Sequence, residues 1–250
     1  MNNPKQNFFS TKNNQKIHYK FINKKSSITI IFLHGLMSDI KSKKAKYLRK
    51  FTNKNKINLL LFEYSGHGRS SGKFADFSIK NWIEDSKAII EKIANKNSLI
   101  LIGSSMGAWV GIHLIKYFHK KIKGFIGIAP APDFTEELMW KKFNNFEKKK
   151  ITKNKIYKLK SSYNNFYPIT KKFIFDGKKL LVLNKKIKCN FPIELLHGTN
   201  DSSVPWNYSF LLSKVLISKN IKITIIKDGE HSLSRATDLK KLNLAIKNIL

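Results

Sequence analysis

Apolar residues recur along this chain in two rhythms. Short, nearly unbroken runs at 28–33, 57–64, 99–103 and 122–129 have the length and branching of strands buried on both faces. Between them, apolar positions spaced three and four apart predict helices. Ala45, Leu48 and Phe51 mark one over 39–53. Trp82, Ile83, Ser86, Ile89, Ile90 and Ile93 form one face of a second, and a third runs from Met106 to His119. Residues 15–23 alternate polar and apolar, which predicts an antiparallel edge strand. Two further strands are expected at 193–196 and 221–226, separated by a helix opening at Pro205 and ending near Leu216. The last helix, over 235–250, turns Leu239, Leu242, Ala245, Ile246 and Ile249 to one side.

Strand and helix alternating in this way imply one α/β domain over 1–250, with a mostly parallel central sheet and helices on both faces. The alternation breaks at Asp133 and resumes at Pro192, too long a gap for an ordinary connection. A small, helical cap insertion over about 133–191 is expected. Its aromatics include Trp140, Phe143, Phe146, Tyr163, Phe166 and Tyr167, which either wall a channel or anchor the cap to the core.

Composition changes this picture little. Hydrophobic residues are 42% of 250, enough for a packed core. The first 14 residues are polar, no run approaches the ~18 apolar residues of a membrane-crossing helix, and a cytoplasmic protein is expected. Cys189, the single cysteine, offers neither an internal disulfide nor a metal cluster. The net charge of +32 invites a polyanion partner, but Arg49, Arg69 and Arg235 are the only arginines. Nucleic-acid readers lean on arginine for bidentate contacts. Lysines spread over the whole chain beside abundant Asn and Ile fit a coding bias better, so no nucleic-acid partner is expected.

Candidate chemistry centres on Gly103-Ser104-Ser105-Met106-Gly107, a G-x-S-x-G between a predicted strand and a predicted helix. A serine there sits on a tight turn that lifts its hydroxyl above the sheet, and small residues two before and two after let strand and helix meet. Its hydroxyl needs a base, and in this arrangement an acid and then a histidine follow the serine in chain order. His113 and His119 lie on the helix leaving the turn, and no suitable acid precedes His197. His231, in Gly229-Glu230-His231-Ser232 after the last strand, is the expected base. Asp201, just past the penultimate strand, is the leading candidate to orient it; Asp133 is the main rival, and Asp176 and Asp228 are weaker ones. The alternative role for Asp201 is to cap the helix at Pro205. Oxyanion donors are expected in the backbone N–H groups of Met106 and of Leu36, where Gly35 permits close approach. His34 and His67 are assigned structural roles.

These motifs are H-G-L-M-S from His34, Y-S-G-H-G-R-S-S-G from Tyr64, G-S-S-M-G-A-W from Gly103, H-G-T-N-D-S-S-V-P-W from His197 and D-G-E-H-S-L-S-R from Asp228. Together they resemble the α/β-hydrolase superfamily. More narrowly, the chain is similar to bacterial relatives of the mitochondrial palmitoyl-protein thioesterase and acyl-glucuronide esterase branch. Tyr167-Pro168-Ile169-Thr170, Ile174-Phe175-Asp176-Gly177 and Trp206 add to that likeness. The resemblance implies an α/β-hydrolase fold, Ser105, Asp201 and His231 as a triad, and hydrolysis of small-molecule or acyl-protein esters or thioesters without metal or cofactor. A peptide or carbon–carbon bond on the same triad, or a basic polyanion- or membrane-binding protein on this scaffold, are the alternatives.

Overall fold

The structure, a computed structural model, describes residues 7–153, 156–160 and 166–250. Tyr163 and the first six residues of the polar N-terminal stretch lie outside them. The chain opens with β1 (Asn7–Ser10), β2 (Lys16–Ile22) and β3 (Ile28–Leu33). Residues 15–23 do form a strand, but β1 pairs antiparallel along the outside of β2, so β1 is the edge. Helix α1 (Lys43–Asn55) starts later than the spacing suggests, because Lys41 N–H turns back onto the Asp39 carboxylate and Ser42 caps the first turn. Next come β4 (Asn58–Phe62), α2 (Ile79–Ile93), β5 (Ser98–Ser104), α3 (Met106–Phe118) and β6 (Ile122–Ile128), all where the apolar rhythm puts them.

Beyond β6 the segment 133–191 is mixed rather than helical. A π-helical turn (Thr135–Met139) and a 3-10 turn (Trp140–Lys142) lead to α4 (Asn145–Thr152). An antiparallel pair follows, β7 (Tyr157–Lys160) and β8 (Phe166–Ile169), then α5 (Lys171–Lys178) and the short β9 (Ile187–Lys188). Tyr157-Lys158-Leu159-Lys160 alternates strictly, a period of two that favours a strand over a helix. The chain finishes with β10 (Ile193–Gly198), α6 (Tyr208–Val215), β11 (Leu216–Ile217), β12 (Ile221–Ile226) and α7 (Ala236–Ile249). Pro205 opens an i→i+3 turn, with Tyr208 N–H on its carbonyl at 3.0 Å, so α6 begins three residues after it.

Eight strands form one sheet in the order β1-β2-β4-β3-β5-β6-β10-β12, parallel from β4 to β12. Alternate residues of β3 and β5 feed separate cores: Ile31, Leu33, Leu99 and Leu101 meet Trp82 and Trp109 of α2 and α3, while Ile30, Phe32, Ile100 and Ile102 meet Leu48 and Ile246 of α1 and α7. This two-sided burial explains the unbroken apolar runs. The chain passes from β3 to β4 on one flank and from α2 back to β5 on the other. The strand order therefore reverses at β3/β5, and the crevice where open α/β sheets bind ligands opens beyond their C-terminal ends.

Candidate active site

Ser105 stands at the end of β5, in that crevice. Its backbone has φ +54° and ψ −119°, a conformation that side chains disfavour, held by Ser105 N–H on Ile128 carbonyl at 2.8 Å. The turn is possible because α3 runs against β3: a Cβ on Gly107 would lie 2.0 Å from the Leu33 carbonyl oxygen. Ser105 is also the residue from which α3 starts, so the N-terminal dipole of the helix points at the serine hydroxyl's surroundings.

The partners arrive from two loops pressed together at the far side. A Cβ on Gly198 would lie 2.0 Å from the Gly229 carbonyl oxygen, and Asn200 N–H donates to that oxygen at 2.9 Å. The loop after β10 thus meets the loop after β12, and Asp201 meets His231. Imidazole Nε2 lies 2.9 Å from Ser105 Oγ, and Nδ1 lies 2.7 Å from Asp201 Oδ2. The His231 side chain is 17% exposed and that of Asp201 fully buried. Burial pushes the Asp201 carboxyl up, but hydrogen bonds from His197 and His231, the charge of His231 and the Val204 N–H outweigh it. They hold the group well below the usual carboxylate range. Asp201 Oδ1 accepts the N–H groups of Ser203 and Val204 at 2.9 and 2.8 Å, so the capping role and the contact with His231 coexist on different oxygens.

Residues 24–172, well over half the chain, match the family described as serine aminopeptidase, S33. The chain belongs to that family. Rat mitochondrial palmitoyl-protein thioesterase ABHD10 is 30% identical over 226 residues, covering 88% of this chain and 74% of that protein. Among solved structures, mouse alpha/beta hydrolase domain-containing protein 10 superposes with a TM-score of 0.88 at 27% identity, covering 98% of both chains. A protein of Agrobacterium vitis S4 does so with 0.93, also at 27% identity and 98% of both. This S33-family chain therefore has the α/β-hydrolase fold and belongs among hydrolases with esterase and thioesterase relatives.

The rival acids have other work. Asp133 accepts the N–H groups of Val182 and Leu183 at 2.8–3.0 Å, tying the start of segment 133–191 to its end. Asp176 accepts the Ser78 hydroxyl, and Asp228 shapes the turn before His231 with φ +54°. His67 is packed among the rings of His34, Tyr64, Phe74 and Trp82, where burial lowers it to about 3; His34, equally buried, falls to about 4.

A cavity of about 650 Å³, in the range that accommodates small molecules, is bounded by Ser105, His231, Leu36 and Met106. Among the described residues, no acceptor takes the N–H of Leu36 or Met106. A Cβ on Gly35 would come no nearer than 3.4 Å to any neighbour, so this glycine is not sterically required. Leu138, Met139, Leu159 and Tyr167 wall the cavity, whereas Trp140 packs on Phe175 and Phe166 is 56% exposed outside it. His197, not expected as the base, contacts Asp201 instead. Its Nε2–H is shared between Asp201 Oδ2 at 3.1 Å and the Val204 carbonyl at 3.0 Å, and its Nδ1 meets Ser209 Oγ at 2.9 Å. No sequence signal pointed to this pairing: a spacing of four brings side chains together on a helix, and His197 lies near the end of a strand.

Proposed function

We propose that this protein is a serine hydrolase that cleaves carboxylic thioesters or esters through an acyl-enzyme. Ser105 is the nucleophile, His231 the general base and Asp201 the orienting acid. The chain of contacts Ser105 Oγ–His231 Nε2 and His231 Nδ1–Asp201 Oδ2 carries the reading. Ser105 attacks the acyl carbonyl as His231 takes its proton, and the negative oxygen is received by the N–H groups of Leu36 and Met106. Collapse expels the leaving group, protonated by His231, and water activated by the same imidazole frees the acid.

The family description raises an aminopeptidase as the second reading. That activity needs a carboxylate to hold a substrate's α-ammonium. Among the described residues the cavity wall has none; its charged members are Lys44 and Lys160. An acyl compound suits it better, and the palmitoyl-protein thioesterase relatives support that class. A polyanion-binding role predicts lysines gathered on one face. Exposed lysines instead sit on α1 and α7 on one side of the sheet and on α2 on the other.

Ser105→Ala should lower turnover of p-nitrophenyl esters and acyl-thioesters by several orders of magnitude. A fluorophosphonate probe should label the native protein alone. Equal labelling of both would remove Ser105 from the mechanism.

A further inference from the structure

His197 touches the triad without a part in the steps above. It stands in β10, between β6 and β12, and both it and Ser209 of α6 are wholly buried. Burying an imidazole and a hydroxyl is costly unless each finds partners. Here the partners dictate where the proton sits. Nε2 faces Asp201 Oδ2 at 3.1 Å and the Val204 carbonyl at 3.0 Å. An ionised carboxylate and a carbonyl only accept, so Nε2 carries the proton. In the neutral ring Nδ1 is then the acceptor, and the Ser209 hydroxyl, 2.9 Å away, donates to it.

These bonds bear on the freedom left to Asp201. The N–H groups of Ser203 and Val204 hold Oδ1, but a carboxylate held by one oxygen can still rock about Cβ–Cγ, a broad torsion. Rocking carries Oδ2 off His231 Nδ1 and releases the restraint that keeps that imidazole in its working tautomer. His197 binds the same Oδ2. It also holds the carbonyl of Val204, whose N–H binds Oδ1, so ring, turn and carboxylate close on one another. The ring is mounted on a strand paired on both sides, whereas Asp201 sits on a loop; strands set geometry more precisely.

We propose that His197, backed by Ser209, is a positioning residue of the triad, holding the Asp201 carboxylate so that Oδ2 stays on His231. The inference rests on the triad reading above and adds a residue that acts through Asp201, with no contact of its own to the reacting atoms.

His197→Phe keeps a ring in the buried site and removes both nitrogens. Turnover of p-nitrophenyl butyrate, per mole of protein shown folded by near-UV circular dichroism, should fall about tenfold in kcat, the scale of a hydrogen bond to a charged group. KM should stay within about twofold. The same substitution in an Asp201→Ala background should leave the residual kcat within about twofold, because the carboxylate it positions is gone. An unchanged kcat in the first background overturns the inference. So does an equal loss in both backgrounds, which would leave His197 a part of the core only. Turnover that Asp201→Ala alone leaves intact would fault the triad reading instead.

Should His197→Phe fail to fold, Ser209→Ala decides. It leaves the imidazole in place and removes only the hydroxyl behind it. The expected loss in kcat is about threefold with Asp201 present and none in the Asp201→Ala background. Equal kcat for Ser209→Ala and native protein, or the same loss in both backgrounds, overturns the inference.

Discussion

Ser105 holds a backbone conformation that its own Cβ resists, and position and strain cannot be separated there. A residue confined to φ +54° and ψ −119° stores roughly 1–3 kcal/mol, which the packing of α3 on β3 must sustain. Ser105→Gly and Ser105→Ala both remove the hydroxyl, but only glycine relieves the backbone. The glycine variant should therefore be the more stable of the two by about 1 kcal/mol in urea denaturation, despite its more flexible unfolded chain. An alanine variant more stable than the glycine variant would show an unstrained turn. The serine was legible in the sequence because this strain imposes small neighbours at fixed offsets, a pattern written in five consecutive residues. Asp201 and His231 were legible through chain order. The burial of Lys44 and the support from His197 were not. A lysine's burial depends on Ser232, 188 positions away, and nothing local to either residue encodes it.

At the level of elements, the contact of α3 with β3 is one of the two closest backbone approaches at the site, equalled by that of Gly198 on Gly229. Gly107→Ala would drive a methyl into the Leu33 carbonyl, a backbone atom that can move only with its strand. A loss of several kcal/mol, or failure to fold, is expected. Gly35→Ala, one loop away, meets its nearest neighbour at an ordinary 3.4 Å and should cost less than about 1 kcal/mol. Thermal unfolding of the two variants tests the contrast, and similar losses would refute it. Both glycines stand in equally conspicuous motifs, so sequence could not rank them; the ranking comes from which backbone lies opposite. The same limit explains the other differences. The core strands were readable because two buried faces leave an unbroken apolar run. β1 was not, being four residues long and mostly exposed, and β7 was hidden by lysines that occupy its outward positions.

For the whole molecule, the buried imidazoles make global stability fall in mild acid. In the unfolded chain a histidine titrates near 6.5, whereas His34 and His67 stay uncharged in the fold down to about 4 and about 3, chiefly because burial penalises their charged forms. Between those limits the unfolded chain binds protons that the folded chain refuses. Their contribution is therefore complete above about pH 6.5 and drains away as pH falls. At about 1.4 kcal/mol per pH unit, each costs roughly 2 kcal/mol by pH 5. Asp85 opposes them: burial raises its carboxyl to about 6, so the stability it adds is present in acid and is lost as pH rises through that value. Two imidazoles displaced by more than two units each outweigh one such carboxyl, and the charge of +32 grows more repulsive in the same direction. His67→Gln isolates one component, since glutamine does not titrate and the remaining charges are unchanged. Urea midpoints followed from pH 7 to pH 5 should drop more steeply for native protein than for the variant, the gap widening by roughly 2 kcal/mol. Parallel curves would mean that His67 reaches water in the folded state, and that the ring cluster beneath the His34-Gly35-Leu36 turn is open rather than sealed.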